Sequence, residues 1–485
     1  MSDCGFNFDS TYPALLPKQF FSELPPESVP APALVLFNET LAQSLGLSFA
    51  HLSASERAAL LAGNQLPTGA KPFAQAYAGH QFGYFTMLGD GRAHVLGEQI
   101  TPSGQRFDLQ LKGSGRTPYS RRGDGKAALG PMLREYIISE AMHQLAVPTT
   151  RSLAVVTTGE LVRRETALPG AVLTRVARSH LRVGTFEFAA AQGDLPALEA
   201  LLSYTIDRHY PELTRSAGQA RALLRAVMNR QADLIVHWLR VGFVHGVMNT
   251  DNMTLSGETI DYGPCAFMDE YDPDTVFSSI DQDGRYAYAN QPKIAHWNLA
   301  RLAEALLPAI DQEPGEAIEL AKETLGEFPA LYQHKWLAMM RSKLGLIGAQ
   351  SADESLIGDL LSWLHTNSAD YTNTFRALSQ GEQPTQAIYQ QDQFNDWYQR
   401  WQARLAQNSE PRGAAFVLMR SVNPAVIPRN HQVEQALTAA NGGEFKPVHD
   451  LLAALSNPYE DHESLKPYQQ PPKASERVEH TFCGT

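Results

Sequence analysis

The chain has 485 residues, 43% hydrophobic and 19% charged, with a net charge of −12. That describes a globular protein able to bury a large core in about two to four domain-sized units, or one elaborated catalytic domain. It argues against a general nucleic-acid binder and, with no apolar run near ~20 residues, against a membrane protein.

Residues 1 to about 80 are punctuated by Pro25, Pro26, Pro30 and Pro32 and predict an extended wrapping segment with short helices such as Asn38 to Leu47. Alternating residues then predict a strand over Gln81 to Leu88, a hairpin turn at Gly89-Asp90-Gly91-Arg92, a return strand Ala93 to Glu98 and a third strand Arg106 to Lys112. A loop rich in glycine and arginine spans Gly113 to Gly125. A helix over Pro131 to Leu145 and strands over Ser152 to Thr157 and Ala171 to Val176 follow. This is the element order of a protein-kinase small lobe. Long helices are expected from Leu195, the strongest over Ser216 to Val241, where Gly242 ends it. Asn298 to Leu405 reads as mainly helical, and the tail after Asn457 as polar and proline-rich. The expectation is an α+β, protein-kinase-like two-lobed fold. It has an N-terminal extension (1–80), a nucleotide-binding lobe (81–185), a helical lobe (186–456) and a tail (457–485).

The most informative stretch is His245-Gly-Val-Met-Asn-Thr-Asp251-Asn252, followed by Asp261-Tyr262-Gly263. A kinase catalytic loop reads H-R-D-x-x-x-x-N and then reaches D-F-G. His245 and Asn252 keep that spacing, but Val247 stands where the catalytic aspartate belongs. Asn252 and Asp261 are oxygen ligands suited to Mg²⁺ or Mn²⁺ with phosphate oxygens. Asp251 is the nearby carboxylate able to take a proton from a hydroxyl, or alternatively an outer partner of the metal.

Lys112 ends a strand where a kinase holds nucleotide phosphates, and Glu135 is placed to fix its rotamer. Gly89 and Gly91 let backbone amides approach phosphates. Arg116, Arg121, Arg122, Lys126, Arg175 and Arg182 exceed what one kinase nucleotide needs, and some are expected to clamp a polyphosphate tail. Three cysteines make no disulfide framework, and with no leader-like start a cytoplasmic location is expected. Cys265, two residues after Gly263, and Cys483, on the tail, are expected to form a reversible redox pair.

Tyr77-Ala-Gly-His-Gln-Phe-Gly83, Leu88-Gly-Asp-Gly-Arg92, Leu109 to Lys126, Arg134-Glu-Tyr and Val244 to Asn252 closely resemble the selenoprotein O (YdiU) family over nearly the whole chain, with cysteine at 483 where some members carry selenocysteine. The resemblance implies a kinase-like protein adenylyltransferase that binds ATP end for end. Such an enzyme moves AMP to Ser, Thr or Tyr of proteins, itself included, and releases pyrophosphate. UTP is left open as a second donor. It implies nucleotide contacts from Gly89, Gly91, Arg92, Lys112, Asp124, Gly125, Arg175 and Arg182, with Lys126 beside them. It also implies metal ligation by Asn252 and Asp261, and Asp251 as base. A kinase using Asp251 as base, and a nucleotide-binding pseudokinase scaffold, remain the alternatives.

Overall fold

A computed structural model describes residues 4–213 and 218–482. It is α+β, built on one large antiparallel sheet and many helices. The strands are β1 (Phe8–Asp9), β2 (Phe21–Glu23), β3 (Ala33–Phe37), β4 (Phe73–Gln75), β5 (Ala78–Gln81), β6 (Tyr84–Met87), β7 (Ala93–Ile100), β8 (Arg106–Lys112), β9 (Ala127–Ala128), β10 (Arg151–Arg163), β11 (Ala167–Ala177), β12 (Phe243–Val244) and β13 (Ala266–Phe267). The main sheet runs β2-β4-β7-β8-β11-β10-β3, with β1 on β7 and β9 on β11.

The segment before residue 80 does more than wrap. Its strands β1 to β4 belong to the sheet, and two of them, β2 and β3, are its outer strands. Its helices α2 (Glu39–Ser44) and α3 (Ala54–Ala62), which follow the short α1 (Thr11–Leu15), cover one sheet face. There Leu41, Leu45, Ala58 and Leu61 pack on Leu109, Leu153, Val156 and Val176. Asn38 and Ser53 cap these helices through the amides of Leu41 and Glu56, which fixes where each begins. The other face carries α4 (Leu129–Gln144), whose Leu133, Ile137 and Ala141 join Val155 and Leu173 in the main core. Each fully buried Leu, Ile or Val side chain among them is worth about 1.5–3 kcal/mol.

One expectation needs correcting. Gln81 to Leu88 is not a strand paired to β7. It breaks at Phe82-Gly83, both at positive φ, and folds back as the separate β5–β6 hairpin. Gly89 to Arg92 therefore joins β6 to β7 without being the turn of a hairpin. β7 pairs instead with β4, because Asp90 is tied to Gln75: the Asp90 N–H donates to the Gln75 carbonyl at 2.8 Å and the Gln75 N–H to the Asp90 carboxylate at 3.1 Å.

The helical region opens with α5 (Val183–Ala191), α6 (Leu195–His209) and α7 (Gln219–Val241). Buried Leu223, Leu224, Val227, Met228, Gln231, Leu234, Ile235 and Trp238 mark the inward stripe of α7. It ends at Gly242 in the left-handed region (φ 74°), as the sequence predicts. Ser216, the expected start, lies outside the described residues. α8 (Gln291–Ile310) packs on α5 and α7, and further helices follow to Gln469. Among the described residues no helix is long and apolar enough to cross a membrane.

Candidate active site

Lys112 leaves the end of β8 between β7 and β11, opposite Ala93 and Leu173. Its Nζ lies 2.6 Å from the Glu135 carboxylate on α4 and 2.8 Å from Asp261 Oδ1. Arg175, two residues further along β11 than Leu173, joins the same two carboxylates at 2.6 and 2.5 Å. Arg182, just before α5, reaches Asp261 Oδ2 at 3.4 Å and Asp90 at 3.9 Å, with its guanidinium 4.4 Å from the centre of the Tyr77 ring. Three buried cations thus converge on Asp261, and two of them, Lys112 and Arg175, are shared with Glu135. Burial pushes both carboxyls up, but Arg175 and Lys112 outweigh it at Glu135, and with Arg182 they hold Asp261 well below the usual carboxylate range. Asp90 shifts the other way, because burial dominates there.

Asp261 itself takes φ 61°, unusual for a non-glycine residue, so the residue central to the charge cluster is also the strained one. The His245 loop is locked from within. His245 Nε2 donates to the Ile260 carbonyl at 2.9 Å, and Asn298 Nδ2 to the Met248 carbonyl at 2.9 Å. Asn252 Nδ2 donates to the Val247 carbonyl at 2.9 Å, which aims the amide oxygen away from that bond.

Asp251 sits in a single 3₁₀ turn, Thr250–Asn252, and is 7% exposed. The β5–β6 hairpin covers it. The His80 N–H donates to Thr250 Oγ1 at 2.7 Å, the Phe82 N–H to Asn249 Oδ1 at 3.1 Å, and Gln81 Nε2 lies 3.4 Å from Asp251 Oδ2. His80 is held in turn by Glu187 of α5. Among the described residues buried Asp251 Oδ1 has no hydrogen-bond donor, and burial raises its carboxyl to about 6. A desolvated carboxylate with an unspent oxygen fits a proton acceptor or the partner of a hard cation. Asn252 and Asp261 carry oxygens of the kind Mg²⁺ or Mn²⁺ takes. Among the described residues no three His, Cys, Asp or Glu side chains form a ready-made cage.

Close approach dictates one glycine here. A Cβ on Gly79 would fall 2.3 Å from Asp251 Oδ1. Gly79→Ala must displace either the hairpin or the carboxylate, and a ~1 Å misplacement of a reacting group costs about 10²-fold. A loss of that size in turnover is expected with nucleotide affinity retained, checked by saturation kinetics beside equilibrium nucleotide binding.

Of the residues singled out in the sequence, the structure brings together Lys112, Glu135, Arg175, Arg182 and Asp261, and places Asp251 and Asn252 beside them in the loop that Arg182 touches through the Asp251 carbonyl at 3.2 Å. It does not pair Asp124 or Lys126 with that group. Asp124 binds Arg164 at 2.9 Å and Lys126 binds Glu160 at 2.8 Å, both on or after β10. Gly125 fits against Gly115, where a Cβ would fall 2.2 Å from its carbonyl carbon. Gly89 and Gly91 make room for Tyr119 and Ser120, so they clasp the following loop. The Arg92 carbonyl accepts from the Gly113 N–H at 2.7 Å in the same clasp. Arg116, Arg121 and Arg122 are exposed. Cys265 is fully buried, and Cys483 lies outside the described residues. Thr481 hydroxyl donates to the Pro264 carbonyl at 2.7 Å, which brings the tail beside Cys265's neighbour. Tyr77, Gly79, His80, Gln81, Asp90 and Glu187 also stand at this site, and most lie in the Tyr77 to Gly83 motif, where sequence pattern alone gives no sign of the contact with Asp251 and Arg182.

A family model described as protein adenylyltransferase SelO matches residues 6–456. A protein nucleotidyltransferase YdiU of Nitrosococcus oceani is 59% identical over 484 residues, 100% of this chain and 98% of its own. One from Geobacillus kaustophilus is 58% identical over 484 residues, all of both chains, and one from Bacillus mycoides 55% over 485, with 100% and 99% covered. The same residues that build the charge cluster thus sit in a chain aligned end to end with these proteins, and it belongs to the SelO family.

Proposed function

We propose that this chain is a protein nucleotidyltransferase that moves AMP from ATP to Ser, Thr or Tyr hydroxyls of proteins, itself included, with UTP as a second donor. The reading includes a kinase-like two-lobed arrangement divided near residues 80, 185 and 456, and a cytoplasmic location. What carries it is the joint presence of a buried three-cation cluster and a misplaced carboxylate: Lys112, Arg175 and Arg182 around Asp261, with Val247 where a kinase base would stand and Asp251 beside Asn252.

Lys112, Arg175 and Arg182 hold the phosphate oxygens, and Glu135 keeps Lys112 and Arg175 in place. Asn252 and Asp261 hold a divalent cation, which when bound neutralises phosphate charge. Asp251 takes the proton from the acceptor hydroxyl as its oxygen bonds the α-phosphorus. The bond from the α-phosphorus to the bridging oxygen breaks, and pyrophosphate leaves with that electron pair. The arginines beyond a kinase's needs stabilise the departing charge. A reversible Cys265–Cys483 link belongs to the same proposal as its redox control, and in peroxide-treated protein non-reducing peptide mapping is expected to find that pair.

The test is which phosphate moves. ATP labelled at the α-phosphate is expected to mark protein, with pyrophosphate as product and the mass of AMP on a hydroxyl side chain. Label arriving only from the γ-phosphate would establish a kinase. No label from either, despite tight nucleotide binding, would establish a scaffold.

A further inference from the structure

Scattered exposed hydrophobic side chains need no explanation, whereas clustered ones mark a binding surface. Of the ten large exposed hydrophobics among the described residues, Tyr84 (79% exposed) on β6 and Ile280 (57%) share one groove. Tyr84 and Ile280 line a cavity of about 840 Å³, together with Phe82 and the outward face of α8. That face is basic. Lys293, Trp297 and Arg301 follow one another at four-residue spacing, so they share one side of the helix. The guanidiniums of Arg285 and Arg301 each stack 4.8 Å from the Trp297 ring.

The charges are unevenly spent. Arg301 is paired with Glu304 at 2.6 Å. Among the described residues neither Arg285 nor Lys293 has an ion-pair partner. Asp281, the buried carboxylate of the wall, is committed to the N–H groups of Arg285 and Tyr286 at 2.9 and 2.8 Å. Exposed Asp283 is left as the acidic edge. In a chain of net charge −12, an apolar groove whose two carboxylates, Asp281 and Asp283, are balanced by Arg285 and Lys293 is a local exception.

The groove is also joined to the candidate active site. The same hairpin that holds Asn249 and Thr250 through Phe82 and His80, and covers Asp251, supplies Phe82 and Tyr84 to the groove wall. His80 touches both sides: its ring packs edge-on to Trp297 at 5.4 Å, while its N–H binds the Asp251 loop.

We propose that this groove docks the acceptor protein through an acidic segment that also carries an aromatic or aliphatic side chain. The carboxylates meet Arg285 and Lys293, the apolar side chain sits among Tyr84, Ile280 and Trp297, and a hydroxyl further along the segment reaches the Asp251 loop. The proposal rests on the protein-nucleotidyl-transfer reading above.

The experiment uses two fluorescein-labelled peptides built around one Tyr and one Ser. One is rich in Glu and Asp with Phe and Leu, and the other has Lys at every acidic position. Anisotropy titrations on the full chain, without nucleotide, are expected to favour the acidic peptide. Lys293→Glu and Arg285→Glu should each weaken it by about fivefold, since an exposed charge pair is worth up to ~1 kcal/mol. The double variant should gain affinity for the lysine peptide. Lys293 is exposed, so its variant tests the groove even if Arg285→Glu folds poorly. Equal affinity for both peptides, or variants that bind like the parent chain, overturn the proposal. So does a dimer in sedimentation that Lys293→Glu dissociates, because the groove would then hold a second copy. Acidic-peptide binding without any transfer from α-labelled ATP defeats the enzymatic reading and leaves the docking groove standing. Transfer whose peptide KM ignores the variants defeats the groove alone.

Discussion

Asp261→Asn is expected to lower nucleotidyl transfer by about 10³-fold and to remove its dependence on divalent metal. The substitution keeps the size of the side chain and deletes the charge that Lys112, Arg175 and Arg182 share. Metal-held charge stabilisation is worth several kcal/mol, and each ~1.4 kcal/mol is a factor of ten. Stability should fall as well, because removing one partner of a buried ionic group costs about 3–5 kcal/mol. Kinetics across a metal titration, beside thermal unfolding of the same sample, separate the two effects. Parental rate and metal dependence in a folded variant would rule out the assignment of this carboxylate.

The second large effect concerns Asp251→Asn, which should reduce the turnover rate about 10²–10⁴-fold, the usual contribution of a general base, while nucleotide affinity stays within a few-fold. Here stability should move differently from Asp261→Asn. Among the described residues Asp251 Oδ1 has no hydrogen-bond donor to lose, and Gln81 Nε2 lies 3.4 Å from the other oxygen. The melting temperature is therefore expected to hold or rise as turnover falls. Loss of affinity with turnover preserved at saturation would make Asp251 a binding residue instead.

How much of this was legible in the sequence depended on distance along the chain. Lys112 and Glu135 are 23 residues apart, at the end of an alternating strand and on the next helix, so local pattern places both. The end of α7 at Gly242 is readable because a left-handed cap needs no information from elsewhere. The strand partners were not readable. Gly89 to Arg92 looks like a hairpin turn, and only the pairing of Asp90 with Gln75, set by tertiary packing, shows that it is not. Strands β1, β2 and β4 are two or three residues long, too short for any period to emerge, so the N-terminal segment read as a wrapper. Gly79 and Gly184 were invisible for a related reason: each answers to a close approach between distant segments, Gly79 to Asp251 and Gly184 to the Ala78 carbonyl, which a Cβ would meet at 1.9 Å. Arg175 and Arg182 were named, but nothing in composition separates them from exposed Arg121 and Arg122 until burial is known.

That both outer strands of the main sheet, β2 and β3, come from the first 37 residues has a consequence for solubility. A bare sheet margin is a template for another chain, and short margins are the safe ones. β2 has three residues and β3 five, whereas β10, which β3 covers in part, has thirteen. A protein clipped after Phe37 would keep its charge cluster yet present β4 on one side and the long β10 on the other. Proteolysis at this end would therefore show itself first as aggregation, before any failure of chemistry.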